Sequence, residues 1–101
     1  MVTHHPQKGV ELYREDEAFV VLVDLPGFDR EDVELRWRDR RLHVEAIHRE
    51  PGERTKVFHR SLGLPRPVRD DEITATLADG VLEVRLPIAD RERDGRRIDI
   101  G

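Results

Sequence analysis

The sequence contains no cysteine and few aromatic residues, and each shortage excludes a class of protein. Without cysteine there is neither a disulfide framework nor a thiolate metal site, which fits an intracellular protein. Aromatic side chains make up only 5% of the 101 residues, and they do not alternate with basic residues as in a nucleic-acid-binding groove. We therefore expect no nucleic-acid partner.

Long apolar runs and an excess of one charge are missing as well. No stretch reaches the roughly 20 apolar residues that a membrane helix needs, and the N-terminus lacks the apolar centre of a secretory signal. Charged residues make up 40% of the chain, but the signs alternate and the formal net charge is −4. Interleaved charge is typical of a solvated surface. The sequence predicts a soluble cytoplasmic protein without a membrane partner.

Short segments with alternating polarity make up most of the chain. In Val33–Arg38, for example, the apolar side chains recur at every second residue, which predicts a half-buried strand. Helical periodicity is absent, apart from room for one turn at Asp29–Asp32. The sequence therefore predicts an all-β sandwich. Its expected strands are Val10–Arg14, Ala18–Leu25, Val33–Arg38, Arg41–Ala46, Lys56–Leu64, Ile73–Ala78 and Leu82–Leu86.

The segment from Thr74 to Pro87 predicts a hairpin around Asp79–Gly80. A type I′ turn needs positive φ at both central residues, which aspartate tolerates and glycine adopts without steric cost. Pro87 has no N–H to donate to a ladder and should end the second strand.

The C-terminal residues differ from the rest. Ala89–Arg97 is almost entirely charged and predicts a flexible linker. Ile98 and Ile100 follow at i and i+2, so that both side chains share one face of an extended chain. Such a peptide is suited to adding to a sheet edge while its two isoleucines fill two pockets.

Four motifs in order resemble those of the small heat-shock proteins, which are built on the α-crystallin domain. The resemblance extends over about Val10 to Ile100. The motifs are Asp24-Leu25-Pro26-Gly27-Phe28 with Glu31-Asp32-Val33, Phe58-His59-Arg60 with Leu64-Pro65, Ala78-Asp79-Gly80-Val81-Leu82, and Ile98-Asp99-Ile100.

The resemblance implies an immunoglobulin-like sandwich of two antiparallel sheets. It divides the chain into a short flexible segment over 1–9, the α-crystallin-type domain over 10–88, and a flexible extension over 89–101 with the I-x-I motif. The strands over 33–38 and 73–78 should lie at the edges of opposite sheets, beside a groove that receives the tail of a neighbouring subunit. The groove candidates are Val33, Leu35, Trp37, Ile73, Ala75 and Leu77, each of which could equally be a core residue.

The resemblance also implies self-association. Phe58, His59 and Arg60 are candidates for a dimer interface, although Arg60 could equally be a surface residue of an exposed strand. The span before the 56–64 strand is too short for the swapped loop of bacterial and plant members, so pairing of these strands edge to edge is expected. Only about nine polar residues stand where the family carries a long apolar arm. Either such an arm has been removed or the protein works without one.

Three classes of function remain to be weighed. The resemblance favours an ATP-independent holdase that binds partly unfolded proteins and assembles through its tail. A co-chaperone-like or structural interaction module without general client protection is the alternative. An enzyme has little support, because there is no nucleophile elbow around Ser61, the only serine. His4 and His5, like His43, His48 and His59, are expected to be solvated or sheet histidines, so neither a metal nor a cofactor is expected.

Overall fold

The fold is described from a computed structural model, which describes residues 9–89 and 98–100. These residues form seven strands and two single turns of 3-10 helix, at Arg30–Asp32 and Asp70–Glu72. No helix in this part of the chain has the length and apolar character needed to cross a membrane. The strands are β1 Val10–Glu15, β2 Ala18–Asp24, β3 Val33–Arg38, β4 Arg41–His48, β5 Lys56–Gly63, β6 Thr74–Ala78 and β7 Val81–Pro87.

Two antiparallel sheets form the sandwich that the sequence predicted. One sheet has the order β1-β2-β7-β6, and the other has the order β3-β4-β5. The strands β3 and β6 therefore lie at the edges of opposite sheets, as expected from the resemblance. The remaining edges are β1 and β5.

All seven predicted strands are present, and no end differs from the prediction by more than two residues. The strand β4 continues to His48, two residues beyond the prediction. The strand β6 begins at Thr74, one residue later than predicted, because the 3-10 turn at Asp70–Glu72 comes directly before Ile73. The other turn, Arg30–Asp32, lies within the segment where one helical turn was allowed. The Asp70–Glu72 turn was not predicted, since three residues are too few to show a helical period.

The core is formed by the inward faces of both sheets. Alternation along β4 and β7 directs every second side chain into this layer, where Val84 and Leu86 have no exposed surface. Burying a side chain of this size stabilises the fold by about 1.5–3 kcal/mol. The cluster consists of Phe19, Val21, Val23, Leu25, Leu42, Val44, Leu64, Leu82, Val84 and Leu86.

The strand β2 is buried on both faces, as its continuous apolar sequence predicted. Ala18 and Val20 point away from the core, yet they are only 0% and 5% exposed. Glu15 of β1 and Arg85 of β7 form an ion pair of 2.8 Å that spans β2 on this outer side. The aliphatic stems of such charged side chains cover apolar surface while their head groups remain in water.

The predicted hairpin joins β6 to β7. Asp79 has φ 52° and Gly80 has φ 77°, which confirms positive φ at both central residues. The Gly80 carbonyl also accepts a hydrogen bond of 2.7 Å from the Leu25 N–H. The hairpin is thereby tied to the turn that follows β2.

A lysine ties β5 to the segment between β2 and β3. Lys56 Nζ donates a hydrogen bond of 3.0 Å to the Pro26 carbonyl and lies 5.1 Å from the centroid of the Phe28 ring. Gly27 lies beneath this contact with φ 86°, and a Cβ at this position would overlap Lys56 Nζ. The close approach of the lysine therefore requires glycine here.

Gly27→Ala should destabilise the protein more than Gly52→Ala. Both glycines have φ above 80°, so either alanine carries the left-handed strain of about 1–2 kcal/mol. Only Gly27→Ala also displaces Lys56, whose hydrogen bond contributes about 1 kcal/mol. Urea unfolding of both variants measures the difference in the free energy of unfolding. Equal losses would mean that the lysine contact contributes nothing.

A histidine at the end of β4 holds the Arg30–Asp32 turn. His48 Nδ1 lies 2.8 Å from Asp32 Oδ2, and its Nε2 lies 2.9 Å from Glu50 Oε1. The same Asp32 oxygen accepts a hydrogen bond of 2.7 Å from the Asp29 N–H, which closes a capping box. The bonds to Glu50 and then Asp32 raise the pKa of His48 above 6.5. The Asp29 N–H, followed by His48, lowers the pKa of Asp32 below 3.8.

These shifts predict a stability that depends on pH in a defined direction. The contribution of His48 is complete below its ordinary pKa of 6.5 and is lost as the pH rises through the higher pKa of the folded state. The contribution of Asp32 is present above pH 3.8 and is lost as the pH falls through its lowered pKa. Between these limits both contributions are present.

The free energy of unfolding of the unmodified protein, relative to His48→Gln, should therefore decrease between about pH 6 and pH 8. His43→Gln is the matched control, since His43 lies on the same strand and has no ion pair among the described residues. Denaturant unfolding at several pH values measures both differences. A difference for His48→Gln that does not change with pH would contradict the assignment.

Candidate functional site

A cleft of about 370 Å³ opens between the edge strands β3 and β6. It exists because these strands belong to different sheets and do not pair with each other, although both direct apolar side chains inward. Across the cleft, the first half of β3 lies opposite the middle of β6. Its lining residues are Arg30, Val33, Leu35, Ala75, Thr76, Leu77 and Leu82.

Four of the six groove candidates line this cleft, namely Val33, Leu35, Ala75 and Leu77. Trp37 and Ile73 are half-buried and pack against the core, but they do not line the cleft. Within the part of the chain that the structure describes, nothing accepts a hydrogen bond from the Trp37 indole.

Sequence reasoning did not include Arg30, Thr76 and Leu82 among the groove candidates. Leu82 pairs with Leu77 across the hairpin, so that it forms part of the cleft floor as well as the core. Arg30 belongs to the 3-10 turn before β3 and is the one charged residue in the lining. An alternating strand pattern cannot detect a residue that lies outside the strand.

The isoleucines of the C-terminal motif are exposed. Ile98 and Ile100 are 82% and 97% exposed, so neither is packed in the cleft of its own chain. The predicted linker lies largely outside the described residues, as does most of the predicted N-terminal segment with His4 and His5. The tail therefore presents two large apolar side chains without an intramolecular partner in the described part of the chain.

The dimer-interface candidates lie on β5, an open sheet edge. Phe58 packs against the core, while His59 is opposite Glu45 on the outer face of the sheet. Arg60 is opposite the buried Val44, and its guanidinium carbon lies 5.7 Å from the centroid of the Phe58 ring. Arg60 thus shares the inward face with Phe58, although it remains exposed at the edge.

The connection before β5 contains only the seven residues 49–55, and they form no strand. A turn within it is closed by a hydrogen bond of 3.0 Å from the Glu53 N–H to the Glu50 carbonyl. Among the described residues, β5 pairs only with β4, so that its other edge has no strand partner there. Val57, at the start of that edge, is 67% exposed.

Three potential metal ligands meet at one end of the sandwich. Single ligand atoms of Asp29, Asp32 and His48 lie within 4.8 Å of one another. The Asp32 carboxylate already accepts hydrogen bonds from the Asp29 N–H and the His48 ring. The capping box and its histidine account for this grouping, and it carries no catalytic arrangement.

The chain is similar in sequence to several heat shock proteins. Spore protein SP21 of Stigmatella aurantiaca is 35% identical over 88 residues, which cover 76% of this chain and 52% of that protein. The 18 kDa heat shock protein of Streptomyces albus G is 34% identical over 99 residues, covering 87% of this chain and 68% of that protein. This chain therefore spans about half of the first relative and two thirds of the second.

A solved structure of a small heat-shock protein has a similar fold. The small heat-shock protein of Xylella fastidiosa, whose crystal structure is described as revealing a distinct high order structure, aligns with a TM-score of 0.69 and 29% identity. The alignment covers 91% of this chain and 94% of that one. The profile of the Hsp20/alpha crystallin family matches residues 11–101. The chain is a member of the Hsp20/alpha crystallin family of small heat shock proteins.

Proposed function

We propose that the protein is an ATP-independent holdase, which binds partly unfolded proteins and keeps them from aggregating. The observation that carries this proposal is the apolar cleft between β3 and β6 together with an exposed Ile98-Asp99-Ile100 tail on the same chain. The cleft offers an apolar binding surface bounded by two unpaired strand edges, which suits an extended segment with alternating apolar side chains. Membership of the family supports the chaperone role.

The tail of one subunit is proposed to occupy the cleft of a neighbour. Ala89–Arg97 has nine residues and can extend to roughly 30 Å, which permits binding between subunits. Full burial of one isoleucine contributes about 1.5–3 kcal/mol. Much of this is offset by the cost of ordering the tail and the linker. A single tail therefore binds weakly and reversibly, and an assembly is held by several tails acting together.

The second contact in the proposed assembly is edge-to-edge pairing of β5 with the β5 of another copy. The unpaired backbone of this strand is a template for such pairing, and Phe58, His59 and Arg60 are its proposed interface residues. The dimer would then be the unit that the tails join.

Replacing both tail isoleucines, Ile98→Ala with Ile100→Ala, should reduce any assembly larger than a dimer to the dimer. The reason is the loss of the apolar groups that fill the cleft of the neighbour. Sedimentation velocity measures the mass, with Leu12→Ala, a substitution of an exposed aliphatic residue on β1, as the control. An unchanged mass of the double variant would refute the role of the tail.

Titration of the protein against a heat-aggregating client without ATP should suppress light scattering near an equimolar ratio. Ala75→Glu places a charge on the cleft wall and should weaken the suppression, because a carboxylate resists burial against an apolar client. Thr74→Glu is the matched control. Thr74 is adjacent to Ala75, but its side chain points to the other face of the sheet, where it is paired with Arg85.

No suppression by the unmodified protein would refute the holdase proposal and favour the alternative, an interaction module for a dedicated partner. Suppression that both variants retain equally would mean that clients bind elsewhere than the cleft.

A further inference from the structure

We propose that Arg30 makes the cleft selective for an aliphatic–acidic–aliphatic segment, and that the segment it selects is Ile98-Asp99-Ile100 of a second copy. This inference rests on the proposed docking of the tail and adds the group that distinguishes the tail from other apolar segments. It assigns a role to a residue that the strand pattern does not reveal.

Arg30 is the charged residue in the lining of the cleft. It is exposed in the turn before β3 and contributes the only charge to a lining that otherwise consists of apolar residues and Thr76. No carboxylate among the described residues forms an ion pair with it. The adjacent Asp32 carboxylate is already engaged by His48 and by the Asp29 N–H. The guanidinium at the mouth of the cleft is therefore available to an incoming anion.

Asp99 lies between the two isoleucines of the tail. In an extended chain its side chain points opposite to those of Ile98 and Ile100. When the two isoleucines enter the cleft, the Asp99 carboxylate stays at the mouth, where a long side chain on the rim can meet it. An arginine is suited to this, because its planar fork can bind a carboxylate through two parallel hydrogen bonds.

The ion pair between Arg30 and Asp99 distinguishes the tail from an apolar client segment. An exposed ion pair contributes little energy, equivalent to about a two- to fivefold change in affinity, which is enough to rank competing segments when the apolar contacts are similar. Salt weakens such a pair, since the Debye length is about 10 Å at 0.1 M ionic strength. Added salt should therefore weaken the binding of the tail more than that of an uncharged aliphatic segment.

The test uses the full chain with Ile98→Ala and Ile100→Ala, whose own tails cannot fill the cleft. A fluorescent peptide with the sequence of residues 94–101 is titrated with this protein and followed by anisotropy at low salt. A peptide with Asp99→Lys should bind about two- to fivefold more weakly. When Arg30→Glu is added to the protein, the preference should reverse, so that the Asp99→Lys peptide binds more tightly than the natural sequence.

Arg38→Glu is the matched control in the protein. It makes the same change of charge on β3, but its side chain belongs to the outer face, where Arg38 is opposite Arg41. It should leave the order of the two peptides unchanged. The melting temperature of each variant checks that the fold is retained.

The outcomes separate the two proposals. If a peptide with both isoleucines replaced by alanine fails to bind, but Arg30→Glu does not change the preference between the natural peptide and the Asp99→Lys peptide, the selection by Arg30 is overturned and tail docking stands. If the alanine peptide binds as well as the natural one, both proposals are overturned. A reversal with Arg30→Glu that is absent with Arg38→Glu supports the inference.

Discussion

The constraint on which this structure depends is that two sheets pack face to face while two of their edge strands remain unpaired across the seam. The buried layer between the sheets requires apolar side chains on β3 and β6, yet these strands share no ladder. Apolar side chains and open backbone edges therefore meet in one cleft. The site that we propose for binding is a direct consequence of how the sandwich is closed.

Contacts at one end of the sandwich determine the shape of the rim. His48 at the end of β4 holds Asp32, and Asp32 caps the turn that carries Arg30. Lys56 binds the preceding turn through the Pro26 carbonyl. Arg30, the side chain that we propose to select the tail, therefore lies on a segment held by polar contacts. The contact between His48 and Asp32 depends on pH, because His48 loses its charge as the pH rises and Asp32 loses its charge as the pH falls.

Weak individual contacts suit the proposed function. A tail that binds through two isoleucines and one exposed ion pair dissociates readily, whereas several tails together hold an assembly. The same cleft can then be released for a client. In the proposed exchange, the tail and the client would compete for a cleft that is already present between β3 and β6.

Much of this protein was determined by the sequence alone. Alternation placed the strands to within two residues, and Asp79–Gly80 specified the hairpin. These features are local, since a period of two and a turn with positive φ depend on neighbouring residues. Assignment of β3 and β6 to opposite edges needed the resemblance to a family as well.

Only the tertiary structure decided which side chains share the cleft. Alternation directs Val33, Leu35 and Trp37 to one face of β3. It does not predict which of these side chains are covered by the opposing sheet. Trp37 therefore packs against the core beyond the cleft, and Arg30 enters the lining from a turn. The face of a residue is a property of its own strand, whereas its lateral neighbours depend on how two sheets are placed against each other.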